Sequence, residues 1–370
     1  MTTKKHMTGI YIHIPFCIKK CPYCDFYSFK ADESEKDSYL QAVLLCLGKW
    51  SNKVKDGIDT VYFGGGTPSV FGSDRISKVL SFIKCNYRLV SDAEITVECN
   101  PSSVSAEFFR QIKDAGVNRI SMGMQSAVDK ERLSLGRMSD REQVRNAVML
   151  AKGVGIDNIS LDIMLGVPHQ TMESLDESID FLLSLDIPHI SAYMLKVEEG
   201  TPFYNMADSL PIADEDSVAE MYLHTSERLS LAGYNHYEIS NFSKEGKESR
   251  HNNRYWKGSD YIGIGPSAHS FFEGKRFYYS RSFDDFISGK EPLDDGFGGD
   301  SEEYIMLRLR LSEGLNFKEY EEKFSEKISQ VRIETMRKYE KVGLVIIDDK
   351  GMRLTPKGFL VSNGIIGELI

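Results

Sequence analysis

Between Gly9 and Val197 the chain switches repeatedly between two hydrophobic periods. Six short runs read as strands: GIYIHIP (9–15), TVYFGGGTP (60–68), EITVECNP (94–101), RISMGMQS (119–126), NISLDIMLGVP (158–168) and HISAYMLKV (189–197). Helical patterns fill the gaps, over Asp32 to Trp50, Arg75 to Cys85, Ser105 to Ala115, Asp140 to Val154 and Met172 to Leu185. In the first of these Tyr39, Val43, Leu44 and Leu47 recur at helical spacing. Strands joined through helices run parallel, so the pattern predicts an α/β fold around a parallel sheet. The repeated βα unit points to a barrel, full or partial, rather than a doubly wound sheet, although periodicity alone does not force that choice. In barrels the chemistry sits at the C-terminal ends of the strands. Gly64 to Thr67, Glu98, Gln125 and Asp162 fall there in this reading.

After Glu198 the pattern changes. Asp214 to Ala232 reads as a long helix and YEISNF (237–242) as a short strand. A polar segment, SKEGKESRHNNRYW, leads into the glycine-rich DYIGIGPSAHSFF (260–272), and LDDGFGGD (293–300) reads as a linker. From Ser301 three helices precede KVGLVIIDDKGMRLTPKGF, a two-stranded ribbon with a tight Asp-Lys-Gly turn. That order resembles a winged helix. The tail is not notably basic, so it reads as a packing or docking domain. The expected division is 1–235, 236–300 and 301–370. Gly263-Ile-Gly265-Pro-Ser-Ala268 matches the dinucleotide fingerprint. We reject a nicotinamide site there, because Pro266 is poorly placed for a turn into a helix and the βαβ unit is missing.

Composition narrows the partners. The 370 residues carry a net charge of -10, which argues against general nucleic-acid binding. Apolar (41%) and charged (27%) contents are those of a globular protein. No run approaches the roughly 18 apolar residues of a membrane span. The opening MTTKKHMTGI lacks the apolar core of a signal peptide. Six cysteines in so long a chain make no disulfide scaffold, and a reducing cytoplasm is the expected compartment. Cys46, Cys85 and Cys99 read as small core residues.

The other three lie together in FCIKKCPYCDF, at Cys17, Cys21 and Cys24. A zinc ion would want a fourth ligand, for which His13 is available, but the spacing is not a usual zinc pattern. A redox Cys-x2-Cys of Cys21 and Cys24 leaves Cys17 idle. A four-iron cluster held by three thiolates leaves one iron open to bind a substrate or cofactor.

This loop resembles the cluster motif of the radical S-adenosylmethionine superfamily. With YIHIPFC, YFGGGTPS, ITVECNP, GMQS, LDIMLGVPHQT and HNNRYW, the chain is similar to the coproporphyrinogen III oxidase-like branch over most of its length. The resemblance implies a partial (β/α)6 barrel of the TIM type with a smaller C-terminal α+β domain. It implies a [4Fe-4S] cluster on Cys17, Cys21 and Cys24, with S-adenosylmethionine on the open iron as the source of a 5′-deoxyadenosyl radical. Gly64, Gly65, Gly66 and Thr67 would then form the turn at the methionine amino group. Glu98, Gln125 and Asp162 suit hydroxyl, amine and adenine contacts. Arg137, read alone as a surface charge, becomes a partner for the methionine carboxylate. Tyr23 is placed to pack on the adenine and Tyr11 to cover the cluster.

The branch contains porphyrinogen-decarboxylating oxidases and heme chaperones. The oxidases carry a further cysteine two residues after the third, where this chain has Phe26, and an extension before the first strand, which here begins near Gly9. The segment from Arg250 to Trp256 resembles the HNxxYW motif tied to heme binding. It makes His251 a candidate axial ligand, Tyr255 and Trp256 candidate porphyrin contacts, and Arg250 or Arg254 candidate propionate partners. On its residues alone the stretch reads as a loop with a solvated histidine and two core aromatics. The expectation is a heme chaperone that delivers heme to an unidentified acceptor protein, with the oxidase as the alternative.

Overall fold

The computed structural model describes residues 7–370. The stretch 1–6, which opens the segment read above as no signal peptide, lies outside the described residues. The βα units follow the sequence pattern: β1 (Thr8–Ile14), α1 (Glu33–Ser51), β2 (Ile58–Gly65), α2 (Ser73–Asn86), β3 (Leu89–Cys99), α3 (Ala106–Asp114), β4 (Arg119–Gln125), α4 (Arg141–Gly153), β5 (Asn158–Leu165), α5 (Met172–Ser184) and β6 (His189–Met194). Polar side chains start four of these five helices, α2 beginning instead from Gly72. Asp32, Asp140 and Thr171 each form a reciprocal capping box, and Ser105 caps α3. A cap of this kind contributes about 1 kcal/mol by pairing otherwise orphaned N–H groups.

The strands β1 to β6 lie side by side in chain order, all parallel. The arc does not close on itself. Beyond β1 the sheet continues with β9 (Tyr261–Ile264), parallel to β1, then antiparallel with β10 (His269–Phe272), β11 (Lys275–Tyr278) and β12 (Leu293–Phe297). Beyond β6 it continues antiparallel with β8 (Asn241–Ser243) and β7 (Asn235–Glu238), which follow α6 (Glu215–Leu231). The result is one twelve-stranded sheet whose middle curls into a partial barrel.

Three local expectations change. YEISNF is a hairpin turn between β7 and β8, not one strand, because the chain reverses at Ile239 and Ser240. Residues 293–297 are not linker but strand β12, whose ladder pairs with β11. HNNRYW is not a loop but helix α7 (Arg250–Lys257), capped by the Ser249 side chain and ended by Gly258 in the left-handed region. The rejected fingerprint is a hairpin: an antiparallel strand, not a helix, follows Gly265.

Strand alternation builds the interior. In β1 Ile10, Ile12 and Ile14 face the helices and are fully buried, each worth about 1.5–3 kcal/mol, while Tyr11 and His13 share the opposite face. Parallel register stacks that face into rows. Tyr11 pairs with Tyr62, Tyr62 with Thr96, and Thr96 with Arg119. Further toward the mouth His13 pairs with Gly64, and Glu98 with Ser121. Gly123, Asp162 and Ser191 form a row across β4 to β6.

The C-terminal part carries α8 (Ser301–Arg308), β13 (Leu315–Asn316), α9 (Phe317–Phe324), α10 (Gln330–Glu340), β14 (Val345–Ile347) and β15 (Gly351–Leu354). Its three strands form a separate antiparallel sheet in the order β13-β15-β14. Backbone bonds from Ile239 to Arg310 (3.1 Å) and from Ser312 to Tyr237 (3.0 Å) fasten it to the β7–β8 hairpin. Among the described residues no helix is long and apolar enough to cross a membrane.

Candidate functional site

The glycine turn after β2 docks on the start of the cysteine loop. Gly66 N–H donates to Ile14 O and Thr67 N–H to Phe16 O, both at 2.8 Å. A methyl on Gly66 would sit 2.8 Å from Phe16 O, so no larger residue fits. Gly65 has φ +109, and a methyl there would sit 2.6 Å from the His13 ring. The turn thereby holds Thr67 against the loop, with Cys17 Sγ 3.4 Å from Thr67 Oγ1.

Cys17, Cys21 and Cys24 are free, half-buried thiols on the wall of one cavity of about 380 Å³. Burial pushes the Cys24 thiol up. Gly65, Gly66, Thr67, Glu98, Gln125, Arg137, Asp162 and Tyr23 line the same cavity. The sequence expectations thus converge on one place, with two refinements. Asp162 sits inside β5 rather than at its end, and reaches the mouth because its face points inward. Arg137 is not a surface charge: it is half-buried, bonded to the Tyr23 hydroxyl, and lies 2.6 Å from where a side chain on Gly123 would begin.

The walls hold polar groups that the protein itself does not satisfy. Gln125 has φ 70, a left-handed conformation that costs a non-glycine residue on the order of 1–3 kcal/mol. Among the described residues its buried Oε1 has no hydrogen-bond partner, and neither has Nε of Arg137. Buried polar atoms are nearly always paired, so these two mark a place for a polar ligand. Glu98 accepts from Tyr62 Oη at 2.8 Å and from Gly65 N–H at 3.2 Å. Burial nevertheless pushes its carboxyl up to about 7, and burial raises Asp162 as well. Three thiols beside a glycine cradle, a guanidinium and two inward carboxyls fit a cluster together with a zwitterionic ligand. Strand alternation also brings in Ser121, Gly123, Met164 and Tyr193, which the motif reading missed. Counting every second residue from Gln125 and Asp162 would have found the first three, while Tyr193 follows two residues after Ser191, the register partner of Asp162 on β6.

The radical SAM superfamily model matches residues 11–182, and the HemN C-terminal domain model matches 301–361. The heme chaperone HemW of Bacillus subtilis is 34% identical, over 98% of this chain and 99% of that protein. That of Escherichia coli K12 is 37% identical over 82% and 83%. The chain belongs to the HemW family. Its fold is also that of the E. coli coproporphyrinogen III oxidase HemN, a radical SAM enzyme, with TM-score 0.86 at 20% identity over 99% of this chain and 90% of that one.

The HemW-family motif residues outside the cluster cavity need correction. His251 lies inside the protein and is 0% exposed. Its Nδ1 is 2.9 Å from Thr60 Oγ1 and its Nε2 is 2.9 Å from Tyr255 Oη, so neither ring nitrogen is free for iron in this arrangement. Arg254 is buried and paired with Asp59 and the Met7 and Asp260 carbonyls, which leaves it no propionate to hold. Arg250 stays half-exposed beside Asp92. Tyr11 is not among the residues that line the cysteine cavity. Its hydroxyl is 3.1 Å from His13 Nδ1 and its ring lines a second cavity next door. Of the three remaining cysteines Cys46 and Cys99 are buried, but Cys85 is exposed, because it lies on the outer face of α2.

Glu98 has a consequence for stability in this HemW-family chain. Its folded value lies above the ordinary carboxylate value, so the native state holds the extra proton between about 4.5 and 7. The stability it contributes is complete below that window and is lost as pH rises through it. Glu98→Gln is expected to flatten this fall in urea-unfolding free energy without removing it. The reason is that Glu238, pushed up to about 7 by its own burial, acts with the same sign. An unchanged slope in the variant would contradict the assignment.

Proposed function

We propose that this protein is a heme chaperone. In this reading it carries a [4Fe-4S] cluster on Cys17, Cys21 and Cys24 with S-adenosylmethionine beside it, and hands heme to an acceptor protein. The observation that carries the reading is the near full-length likeness to proteins named heme chaperone HemW. Phe26, standing where the resembling oxidases have another cysteine, supports it. A cluster bound there supplies one-electron reducing chemistry and an open iron for an amine and a carboxylate.

The chain's own groups do the positioning. The turn at Gly64 to Thr67 brings backbone within reach of the amine, Arg137 offers its guanidinium to the carboxylate, and Glu98, Gln125 and Asp162 face the sugar and base. Tyr23, on the cavity wall between two of the thiols, supplies an aromatic surface for the adenine. Residues 301–370 form a packing or docking unit in this proposal, supported by the family match to 301–361. Six unpaired cysteines suit a reducing cytoplasm.

The shared fold with HemN keeps a second reading in view, a radical decarboxylase of a porphyrinogen. One reconstituted, anaerobic sample separates the two. Titration with heme is expected to give stoichiometric uptake. Incubation with coproporphyrinogen III, reductant and S-adenosylmethionine is expected to yield no protoporphyrinogen. Decarboxylated product would favour the oxidase.

A further inference from the structure

A second cavity, of about 340 Å³, lies beside the cysteine cavity, and Phe26 belongs to the wall of both. It exists because β9 pairs with β1, so that the β9–β10 hairpin, helix α7 and residues 25–27 of the cysteine loop enclose a space over Tyr11. Four tyrosines line it: Tyr11, Tyr27, Tyr255 and Tyr261. Such a wall suits a flat, largely apolar, electron-rich ring. Arg281 stands on its rim, half-exposed and 3.3 Å from Asp25. His269 completes it. The imidazole is solvent-exposed, one ring face rests on Tyr278 (centroids 5.1 Å apart, 18° between planes), and among the described residues no side-chain hydrogen bond engages either nitrogen.

We propose that His269 is the axial ligand of the heme iron, with the porphyrin against these tyrosines and a propionate at Arg281. The assignment rests on the heme-chaperone reading above and names its site. It also gives His251 a different task. His251 holds the Tyr255 hydroxyl at 2.9 Å and stacks on Tyr62 with centroids 5.1 Å apart. It is therefore a positioning residue behind the cavity wall, not a group that touches iron. An exposed, unengaged imidazole coordinates iron without breaking an existing bond, whereas His251 would have to give up one of two buried hydrogen bonds.

The test is resonance Raman of ferrous heme on the full chain with its cluster, read at the iron–imidazole stretch, together with a heme titration. The wild type is expected to show the stretch. His269→Ala is expected to lose it and to bind heme at least tenfold more weakly, and added imidazole is expected to restore it. His251→Ala is expected to keep the stretch with weaker binding. His269→Gln, closer in volume, is read in the same way should the alanine variant not fold. A stretch that persists in His269→Ala and His269→Gln, or that vanishes only in His251→Ala, overturns the assignment. Heme uptake by the wild type without any imidazole stretch overturns it too while leaving the chaperone reading intact. A wild type that takes up no heme overturns both.

Discussion

Cys21→Ala is expected to abolish the four-iron absorption after anaerobic reconstitution, and with it all labile sulfide. The loop offers three thiols and, among the described residues, no other thiol on the same cavity wall except Cys99. Cys99 is fully buried with its thiol directed at Val97 O, 3.8 Å away, so it is held back in the strand and cannot replace a lost ligand without unpairing β3. Two thiolates do not hold a four-iron cluster that needs three. The fold is expected to survive, since Cys21 is half-buried and lies in a loop; changes of this kind usually stay within about 0.5 kcal/mol. Cys46→Ala is the contrasting control. It removes a buried sulfur 3.0 Å from Tyr279 Oη and is expected to cost stability while leaving the cluster absorption unchanged. Zinc without labile sulfide in the wild type would refute the cluster.

Gly263→Ala is the second large effect, on folding rather than on metal. Gly263 pairs with Tyr11 across β9 and β1, and its N–H donates to Ser270 Oγ at 2.9 Å. A methyl placed on it would land on the His269 carbonyl oxygen, closer than real Cβ atoms approach. The obstacle is backbone, which cannot rotate aside as a side chain can. Overpacking of this kind costs about 1–3 kcal/mol and sometimes more. We expect loss in the upper part of that range by urea denaturation, together with a displaced β10 and impaired heme uptake. Gly274→Ala, on the next turn, meets nothing within 4 Å among the described residues, though its φ of +77 adds strain. It is the milder comparison for turn strain without the clash.

Gly263 and Gly265 show where sequence reading succeeds and where it stops. The stretch from Gly263 to Ala268 was legible as a match to the dinucleotide fingerprint, and Pro266 with the missing βαβ unit ruled out the nucleotide turn. What it approaches was not legible, because the partner is another stretch of backbone brought in by the β9–β10 hairpin. The six βα units were readable because hydrophobic period and capping residues agree at most boundaries, as with Asp32 and Thr171. Pairing of β9 with β1 was not, since a four-residue strand carries little periodicity and its partner lies far back in the chain. Residues 293–297 were read as linker for a related reason: both faces are exposed, so no burial pattern marks them as a strand. The cluster cavity was largely visible through motifs at strand ends. His251 was misplaced because a histidine and a tyrosine four residues apart look alike whether they bind a ligand or each other; only the helix of α7 brings them to 2.9 Å.

The open sheet has two ends, and they are finished differently. At β7 the C-terminal unit covers the edge through the bridge between Glu238 and Leu311. At β12 nothing covers it among the described residues: all five residues are exposed, Phe297 to 84%. A bare strand beside an aromatic side chain is a template on which another copy's strand can add. Asp294 and Asp295 sit in the middle of that strand and put like charges opposite one another whenever two such edges meet. These two carboxylates therefore face the crowd of identical molecules rather than any ligand, and keep an unclosed barrel from becoming the first layer of an aggregate.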